Sequence, residues 1–170
     1  DLPTRAQPPV QQAEAALTQA LGLALGESWD QTLRNTAAWW HSERPELLHQ
    51  ARVGWRRLRA LIRLMRPVLA PPPPAAALRA FWQASGPVRE LDVMLTQTLP
   101  AWGTAYAGDD PQRLAEWAAV TETVFDARRH AAQTLRARLA QTDCGLDWLA
   151  CGVWLAGVSN VLVPTDSTER

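Results

Sequence analysis

The chain has 170 residues, of which 47% are hydrophobic and 20% are charged, and its formal net charge is zero. This composition predicts one globular domain with a buried core and excludes an intrinsically disordered chain. No stretch approaches the roughly 20 consecutive apolar residues that a membrane span needs, so we expect no membrane association. Residues 1–10 lack the basic start and apolar middle of a signal peptide, and we therefore expect a cytoplasmic protein.

The first predicted element is a long helix. Apolar residues recur with helical spacing from Val10 to Ala24 and continue weakly to Trp40, with Gly26 as a candidate kink. Residues 1–9 are rich in proline and are expected to form a linker. Because this stretch begins without Met, we expect the chain to be part of a larger protein.

The second predicted helix runs from about Pro45 to Arg66, because Pro suits the first turn of a helix. The run Pro71–Pro74 then stops the helix and forms a stiff, extended connection. We expect this second helix to carry most of the functional residues, for the reasons given below.

Turn-forming residues divide the next part of the chain. The pattern predicts a third helix over Ala75–Ala84, a turn at Ser85–Pro87, and a fourth helix over Val88–Leu99 that ends at Pro100. The composition of Gly103–Pro111 predicts a loop.

Two more helices are predicted toward the end of the chain. A long amphipathic pattern extends from Leu114 to Leu139, and a shorter apolar helix follows around Leu146–Val158. No alternating strand pattern is present, and most connections are short. The sequence therefore predicts an all-α antiparallel helical bundle over residues 10–162, with residues 163–170 as a tail.

Two cysteines, Cys144 and Cys151, lie in the last predicted helix. Seven residues of helix separate their Cα atoms by about 10 Å, which is too far for a disulfide. Two packed, reduced thiols fit a cytosolic protein, and no histidine lies at zinc-binding spacing. We therefore expect neither a disulfide nor a metal site.

All of the positive charge of the chain is arginine, because the sequence contains no lysine. The segment from Arg44 to Asp92 has nine arginines and three acids, a balance of +6, whereas the segment from Ala101 to Asp126 has one arginine and five acids, a balance of −4. A guanidinium is a planar fork that matches two oxygens of a phosphate or carboxylate.

One face of the second helix carries basic residues at alternating three- and four-residue spacing. We call this set the arginine stripe: His49, Arg52, Arg56, Arg59, Arg63 and Arg66. These side chains span an arc of about 100° and a length of about 25 Å. A separate face is predicted to lie in the core and carries Leu47, Ala51, Leu58, Leu61, Ile62 and Met65, with Trp55 at the border.

The arginine stripe has two interpretations on sequence alone. No acid occurs between Glu46 and Glu90, although a solvated charged face usually includes acids that relieve like-charge repulsion. The stripe therefore meets either acids from another helix or an external polyanion. Nucleic acid is disfavoured, because single-strand binders interleave aromatic residues and only Trp55 lies near the stripe.

Two motifs resemble those of the CHAD family, the conserved histidine α-helical domain. The segment Leu48–Pro67 reads LHQARVGWRRLRALIRLMRP and contains His-x-x-Arg-Val followed by Arg-Arg-Leu-Arg. The segment Gly86–Leu95 reads GPVRELDVML and is similar to the later Gly-x-x-Arg-[Asp/Glu]-Leu-Asp-Val motif. The order and separation of the two motifs make this resemblance specific.

The resemblance implies two four-helix bundles related by a pseudo-twofold axis, with a basic central cavity that binds inorganic polyphosphate. It also implies targeting to polyphosphate granules and, often, fusion to a preceding CYTH domain. Carried over by position, the ligands are His49, Arg52, Arg56, Arg59 and Arg63 from the first motif and Arg89 from the second, which also contains Asp92. Arg66 and Arg79 extend the basic surface by location.

The chain departs from the family pattern in one respect: the His-x-x-Arg helix does not recur after His49. Only the N-terminal half of the CHAD fold is therefore expected here. Either the chain is a fragment of a longer CHAD protein, or the half pairs with another half-domain, in the same complex or as a homodimer, to rebuild the cavity.

The other polar residues receive separate interpretations. Arg128 falls within the apolar stripe of its helix, so we expect it to pair with an acid or face a cavity, and it is a further polyphosphate ligand candidate. Glu90 and Asp92 are expected to form salt bridges that orient arginines, and His41 and His130 to be solvated.

The predicted function is a binding module without catalytic residues, metal or cofactor. The sequence contains no Walker-type glycine loop, no nucleophile motif and no carboxylate cluster suited to Mg²⁺. Two alternatives stay open: a helical protein-interaction or dimerisation domain, and a histidine phosphoacceptor or metal-binding module centred on His49.

Overall fold

A computed structural model describes residues 17–67, 69, 74 and 79–162 of the chain. These residues form no strand, and the expected all-α fold is confirmed. The helices are α1 (Leu17–Ser42), α2 (Pro45–Met65), α3 (Arg79–Val93), a π-helical turn (Met94–Thr98), α4 (Leu99–Ala107), α5 (Pro111–Leu139) and α6 (Thr142–Leu162). The predicted linker 1–9, the start of the first helix, most of the Pro71–Pro74 connection and the tail 163–170 lie outside the described residues.

The chain divides into two compact units. The first unit contains α1, α2 and α6, and the second contains the chain from Ala80 to Gln141.

The first unit is built on a close antiparallel pair, α1 and α2, which a two-residue turn connects. Glu43 in this turn has a positive φ of 51°, and its N–H donates to the Trp39 carbonyl. Gly54 of α2 lies against Thr32 of α1, so that a Cβ at position 54 would be 2.6 Å from Thr32 Oγ1. The absence of a side chain at position 54 therefore sets the spacing of the two helices.

Buried polar residues line α1 where it packs in the first unit. The Thr32 and Thr36 hydroxyls each donate to a carbonyl one turn earlier in α1, at 2.7 and 2.8 Å. Gln31 of α1 donates to Gln50 of α2 at 2.9 Å, and Gln50 in turn donates to Glu46 at 2.7 Å. This hydrogen-bonded chain satisfies polar groups that would otherwise be costly to bury.

The last helix of the chain, α6, packs against α1. The Trp29 and Trp148 rings meet with centroids 5.3 Å apart. Cys144 and Cys151 are buried free thiols on α6, as the sequence predicts. Burial raises the pKa of Cys151 to about 11, with a smaller contribution from the negative charge of Asp147, so this thiol stays protonated at neutral pH.

In the second unit, α4 packs on α5. Gly103 of α4 lies directly against the Trp117 ring, where a Cβ would clash with Nε1. The Tyr106 and Trp117 rings lie with centroids 5.6 Å apart. The Tyr106 hydroxyl donates to Glu116 at 2.8 Å, and this bond raises the pKa of Tyr106.

The predicted turn at Ser85–Pro87 is wrong, because α3 runs through these residues without interruption. Pro87 has no N–H to donate to the Gln83 carbonyl one turn earlier. Separately, the Ser85 hydroxyl donates to the Trp82 carbonyl at 2.8 Å. Phe81, Ser85 and Val88 are fully buried. Burial of this face outweighs the local cost of a helical proline.

The predicted helix end at Pro100 is also wrong. Pro100 lies in the first turn of α4, just after the π-helical turn, where the Leu99 N–H donates to the Met94 carbonyl five residues earlier. This wider turn accommodates a proline that an uninterrupted α-helix would not.

The predicted loop Gly103–Pro111 is correspondingly shorter, because α4 continues to Ala107. Only three residues then separate α4 from α5. The Asp110 carboxylate caps α5 by accepting from the Gln112 and Arg113 N–H groups, and Pro111 occupies the first turn of the helix.

Candidate functional site

The second helix, α2, forms as the sequence predicts and ends one residue earlier than expected, at Met65. Pro45 and Glu46 occupy its first turn, which suits the missing proline N–H and the positive end of the helix dipole. Its arginines and leucines are good helix formers. After Met65 the Arg66 N–H donates to the Arg63 carbonyl, and Pro67 follows.

The structure places the arginine stripe on the outer side of α2. Arg56, Arg59, Arg63 and Arg66 are exposed, whereas His49 and Arg52 are half-buried. The predicted core face holds: Leu47, Ala51, Leu58 and Met65 are buried, and Leu61 and Ile62 are half-buried. Trp55 is buried rather than placed at a border, with 5% of its surface exposed.

The four exposed guanidinium groups of the stripe have no carboxylate partner among the described residues of their own unit. In the described part of the first unit, Arg56, Arg59, Arg63 and Arg66 form no ion pair with a carboxylate. Like charges at three- and four-residue spacing on a helix repel by a few tenths of a kcal/mol per pair. The stripe therefore holds a repulsion that a bound anion would relieve.

Arg57 differs from the stripe although it is the neighbour of Arg56. It points to another side of α2, where its guanidinium donates to the Gln31 side-chain oxygen of α1 at 3.3 Å. Arg57 thus extends the hydrogen-bonded chain of Gln31, Gln50 and Glu46. Its role is to connect the two helices.

The structure does not bring all the predicted ligands into one unit. Arg79 is exposed at the start of α3, at the end of the first unit. Arg89 is half-buried in α3, and Arg128 is half-buried in α5, and both belong to the second unit.

The sequence predicts that Arg128 either pairs with an acid or faces a cavity, and in the structure it pairs with an acid. Its Nε donates to Asp92 Oδ1 at 3.0 Å, across 36 residues of sequence. Asp92 is 1% exposed and the Arg128 side chain is 12% exposed. Asp92, three residues after Arg89 in the sequence, therefore pairs with an arginine of another helix, and the sequence pattern alone did not specify this pairing.

The remaining candidate residues are placed as expected. His41 lies exposed in the last turn of α1, and His130 is exposed on α5. Among the described residues, no group of three or more His, Cys, Asp or Glu side chains is arranged to hold a metal ion. None of the helices described is long and apolar enough to cross a membrane.

Fold and site together define the class of protein: an all-α helical bundle in which one helix presents a row of exposed arginines. The family model of the CHAD domain matches residues 23–161, and the chain belongs to this family. The crystal structure of the CHAD domain from the plant Ricinus communis is similar, with a TM-score of 0.69 and 31% sequence identity. No curated protein sequence matches the chain.

The chain spans about half the length of that plant domain. The match covers 95% of this chain and 53% of the other. This agrees with the expectation that the sequence corresponds to one half of the double CHAD bundle.

Proposed function

We propose that this domain binds inorganic polyphosphate through the arginine stripe of α2 and performs no catalysis of its own. The observation that carries the proposal is the row of exposed guanidinium groups on one helix face with no acid partner in the described part of its unit. Membership of the CHAD family, for which the sequence resemblance implies polyphosphate binding, supports it.

The spacing of the stripe suits a flexible polymer with a charge at every unit. Successive positions lie about 5 Å apart along the helix axis, and the stripe is about 25 Å long. Each guanidinium can hold two phosphate oxygens at once. A long polyphosphate chain can therefore meet several arginines in succession and release counterions as it binds.

The half-buried members of the stripe have a distinct place in the proposal. His49 and Arg52 lie nearer the core than the four exposed arginines, so their side chains are more restricted before the ligand arrives. Less conformational entropy is lost when such groups bind. They therefore contribute a preorganised end of the site.

Three further arginines are assigned weaker roles. Arg79 belongs to the unit of the stripe and Arg89 to the second unit, and neither forms an ion pair within the described part of its own unit. Arg128 is already engaged with Asp92, so a phosphate would have to compete with a buried carboxylate for it. We expect Arg128 to contribute least.

Nucleic acid fits this surface less well than polyphosphate. Proteins that bind single strands use exposed aromatic rings on which bases stack. The aromatic residue next to the stripe, Trp55, is buried in the core. The stripe therefore offers charge and hydrogen bonds but no stacking platform.

Titration with long-chain polyphosphate tests the proposal, with single-stranded DNA as competitor. We expect Arg56→Glu/Arg63→Glu to lose at least about 100-fold in affinity, because two charge-assisted contacts are removed and two repulsive charges are added. Arg34→Glu/Arg44→Glu is the matched control, because it changes the net charge equally at two exposed residues of the same unit that lie outside the stripe. The control should bind within a few-fold of the unaltered chain.

Two results would contradict the proposal. Equal losses in both double variants would mean that binding follows overall charge rather than the stripe. Absence of polyphosphate binding by the unaltered chain would mean that the stripe by itself is not a polyphosphate site. Circular dichroism of each variant checks that the helical fold is retained.

The cellular role we propose is targeting of the parent protein to cytoplasmic polyphosphate granules. A fluorescent fusion of the chain should concentrate at granules, and the Arg56→Glu/Arg63→Glu variant should remain diffuse. Localisation of both proteins at granules would refute a targeting role for the stripe.

A further inference from the structure

The corner at which α4 meets α5 exposes aromatic rings. Trp102 and Tyr106 are 65% and 44% exposed, and their spacing of four residues puts them side by side on one face of α4. The half-buried Trp117 of α5 continues this surface, with its ring centroid 5.6 Å from that of Tyr106. We call these three residues the aromatic corner.

The helix packing holds the aromatic corner in place. Gly103 of α4 lies against the Trp117 ring, and a Cβ at this position would clash with that ring. The ring of α5 can therefore lie close to the rings of α4. Trp and Tyr are the residues that most often carry the binding energy of protein interfaces, because they bury a large, rigid area at a small entropic cost.

Carboxylates lie beside the rings of the aromatic corner. Glu116 accepts from the Tyr106 hydroxyl at 2.8 Å, so its negative charge is held at the edge of that ring. Asp109 and Asp110 are exposed in the connection between α4 and α5. A ring face attracts cations, and nearby carboxylates add to this attraction.

One guanidinium of the chain already lies over this surface. The Arg113 Cζ is 5.9 Å from the centroid of the Tyr106 ring. Its Nη1 donates to the Tyr106 carbonyl at 3.5 Å, its Nε lies 3.9 Å from Asp110 Oδ2, and the side chain stays 59% exposed. All three contacts are long, and exposed ion pairs contribute little stability. Arg113 is therefore held loosely, and another guanidinium can take its place.

We propose that the aromatic corner docks an arginine-bearing basic segment of a partner protein. Arg113 shows in this structure that the Tyr106 ring accepts a guanidinium. The segment from Ala101 to Asp126 has five acids and one arginine, so its charge complements a basic partner. Arginine suits the corner better than lysine, because a planar guanidinium stacks on aromatic faces and binds carboxylates with two N–H groups.

This proposal goes beyond polyphosphate binding and does not depend on it. The aromatic corner belongs to the second unit, whereas the arginine stripe belongs to the first. The acids of the corner attract a basic segment and repel a polyanion, and the stripe does the reverse. The domain thus has two surfaces that select ligands of opposite charge.

Titration of the 170-residue chain with a fluorescein-labelled peptide of alternating glycine and arginine tests the proposal, with fluorescence anisotropy as the readout. The expected result is saturable binding at about 0.15 M salt, where long-range attraction is screened. The same peptide with lysine in place of each arginine should bind about threefold more weakly or less, because an ammonium does not stack on a ring.

Ring deletions test whether the aromatic corner carries the binding. Trp102→Leu and Tyr106→Leu each keep an apolar side chain and remove one ring, so each should weaken peptide binding about threefold or more. Phe125→Leu is the matched control, because Phe125 is a 49% exposed ring on α5 outside the corner. The control should bind like the unaltered chain, and circular dichroism should report the same helical content for all three variants.

The most specific variant is Arg113→Ala, which removes the guanidinium that already lies over the corner. It should raise peptide affinity about threefold to tenfold, because the peptide no longer competes with Arg113 for the ring. Arg129→Ala is the matched control. Arg129 also lies over a ring, with its Cζ 5.8 Å from the Phe125 centroid, pairs with Asp126 and is 59% exposed. It makes the same change in net charge on the same helix, and it should leave the affinity within about twofold.

Three results would overturn the proposal. The first is no peptide binding by the unaltered chain, which includes the case in which a second copy of the chain covers the corner. The second is binding that Trp102→Leu and Tyr106→Leu leave unchanged. The third is an equal gain in Arg113→Ala and Arg129→Ala, which would mean that the peptide responds to net charge alone. Polyphosphate titration of the same samples reports on the arginine stripe, so either proposal can fail without the other.

Discussion

Gly54 is the residue on which the packing of α1 against α2 depends. A Cβ at this position would lie 2.6 Å from Thr32 Oγ1, 2.9 Å from the Ser28 carbonyl and 3.0 Å from the Thr32 nitrogen. Two of these three atoms belong to the backbone, so a side-chain rotation cannot relieve the clash. The helices would have to separate, and with them the platform that carries the arginine stripe.

We predict that Gly54→Ala destabilises the domain by about 1–3 kcal/mol, as overpacking does, despite the better helix propensity of alanine. Urea denaturation measures the free energy of unfolding. Gly26→Ala is the matched control, because Gly26 lies inside α1 with nothing within 4 Å of the added Cβ. That variant should gain up to about 1 kcal/mol. A stabilised Gly54→Ala variant would contradict the close approach of the two helices.

Asp92 is the second residue with a large expected effect. It is almost completely buried and accepts from Arg128. Removal of one member of a buried pair leaves an uncompensated charge, which costs about 3–5 kcal/mol. We therefore predict that Asp92→Ala destabilises the chain by this amount, measured by chemical denaturation.

A surface pair provides the comparison for Asp92. Arg129 and Asp126 form an ion pair on the same helix as Arg128, and both side chains are about 60% exposed. Asp126→Ala should therefore cost less than about 1 kcal/mol. Similar costs for the two variants would mean that burial does not strengthen the Asp92–Arg128 contact.

At the scale of the element, α2 combines a core face with a row of like charges. The exposed arginines of the stripe destabilise the free helix, although the same charges are expected to favour a bound polyanion. We therefore expect these charges to lower the stability of the free chain and to raise its affinity for polyphosphate.

We predict that Arg59→Glu raises the stability of the free chain by about 0.5–1 kcal/mol, because the new carboxylate lies three residues after Arg56 and four before Arg63. Thermal denaturation without polyphosphate measures the gain. Arg57→Glu is the control and should not be stabilised. No charged residue lies three or four positions from Arg57 in the sequence, so the new carboxylate relieves no repulsion on the helix, and the variant loses the bond to Gln31. A lower melting temperature for Arg59→Glu would show that the stripe is compensated in the free chain.

The segment from α3 to α4 is the element in which local pattern and structure differ most. Ser85–Pro87 and Pro100 have the composition of helix ends, and the chain nevertheless stays helical through both. Proline costs about 3 kcal/mol inside a helix, but burial of Phe81, Val88 and Leu99 and the wider π-helical turn offset this cost. Sequence spacing contains no information on what these side chains contact.

At the scale of the whole molecule, the net charge of zero conceals a surface suited to a polyanion. The segment from Arg44 to Asp92 has a balance of +6 and the segment from Ala101 to Asp126 a balance of −4, and the net charge of the whole chain hides both. Screening and counterion release act on the local charge. Binding should therefore respond to salt like that of a strongly basic protein.

We predict that the logarithm of the polyphosphate association constant falls linearly with the logarithm of salt concentration. The slope of Arg63→Gln should be smaller by about one than that of the unaltered chain, because one phosphate contact is lost. Arg34→Gln should leave the slope unchanged, because Arg34 pairs with Asp30 on α1. Salt-independent affinity would be inconsistent with a site made of arginines and phosphates.

The sequence by itself determined the helical class, the bounds of α2 and α5 to within a few residues, and the position of the arginine stripe. These features depend on local periodicity, since residues three and four apart share a helix face whatever surrounds the helix. The two motifs of the CHAD family were also readable without coordinates, because their residues lie close together along the chain.

Only the tertiary structure decided the pairing of Asp92 with Arg128, the close approach at Gly54 and the continuity of α3 through Pro87. Each of these depends on groups that are far apart in sequence or on the balance between a local cost and burial elsewhere. Local spacing determines which residues share a face, whereas the contacts and burial of that face depend on the packing of the whole chain.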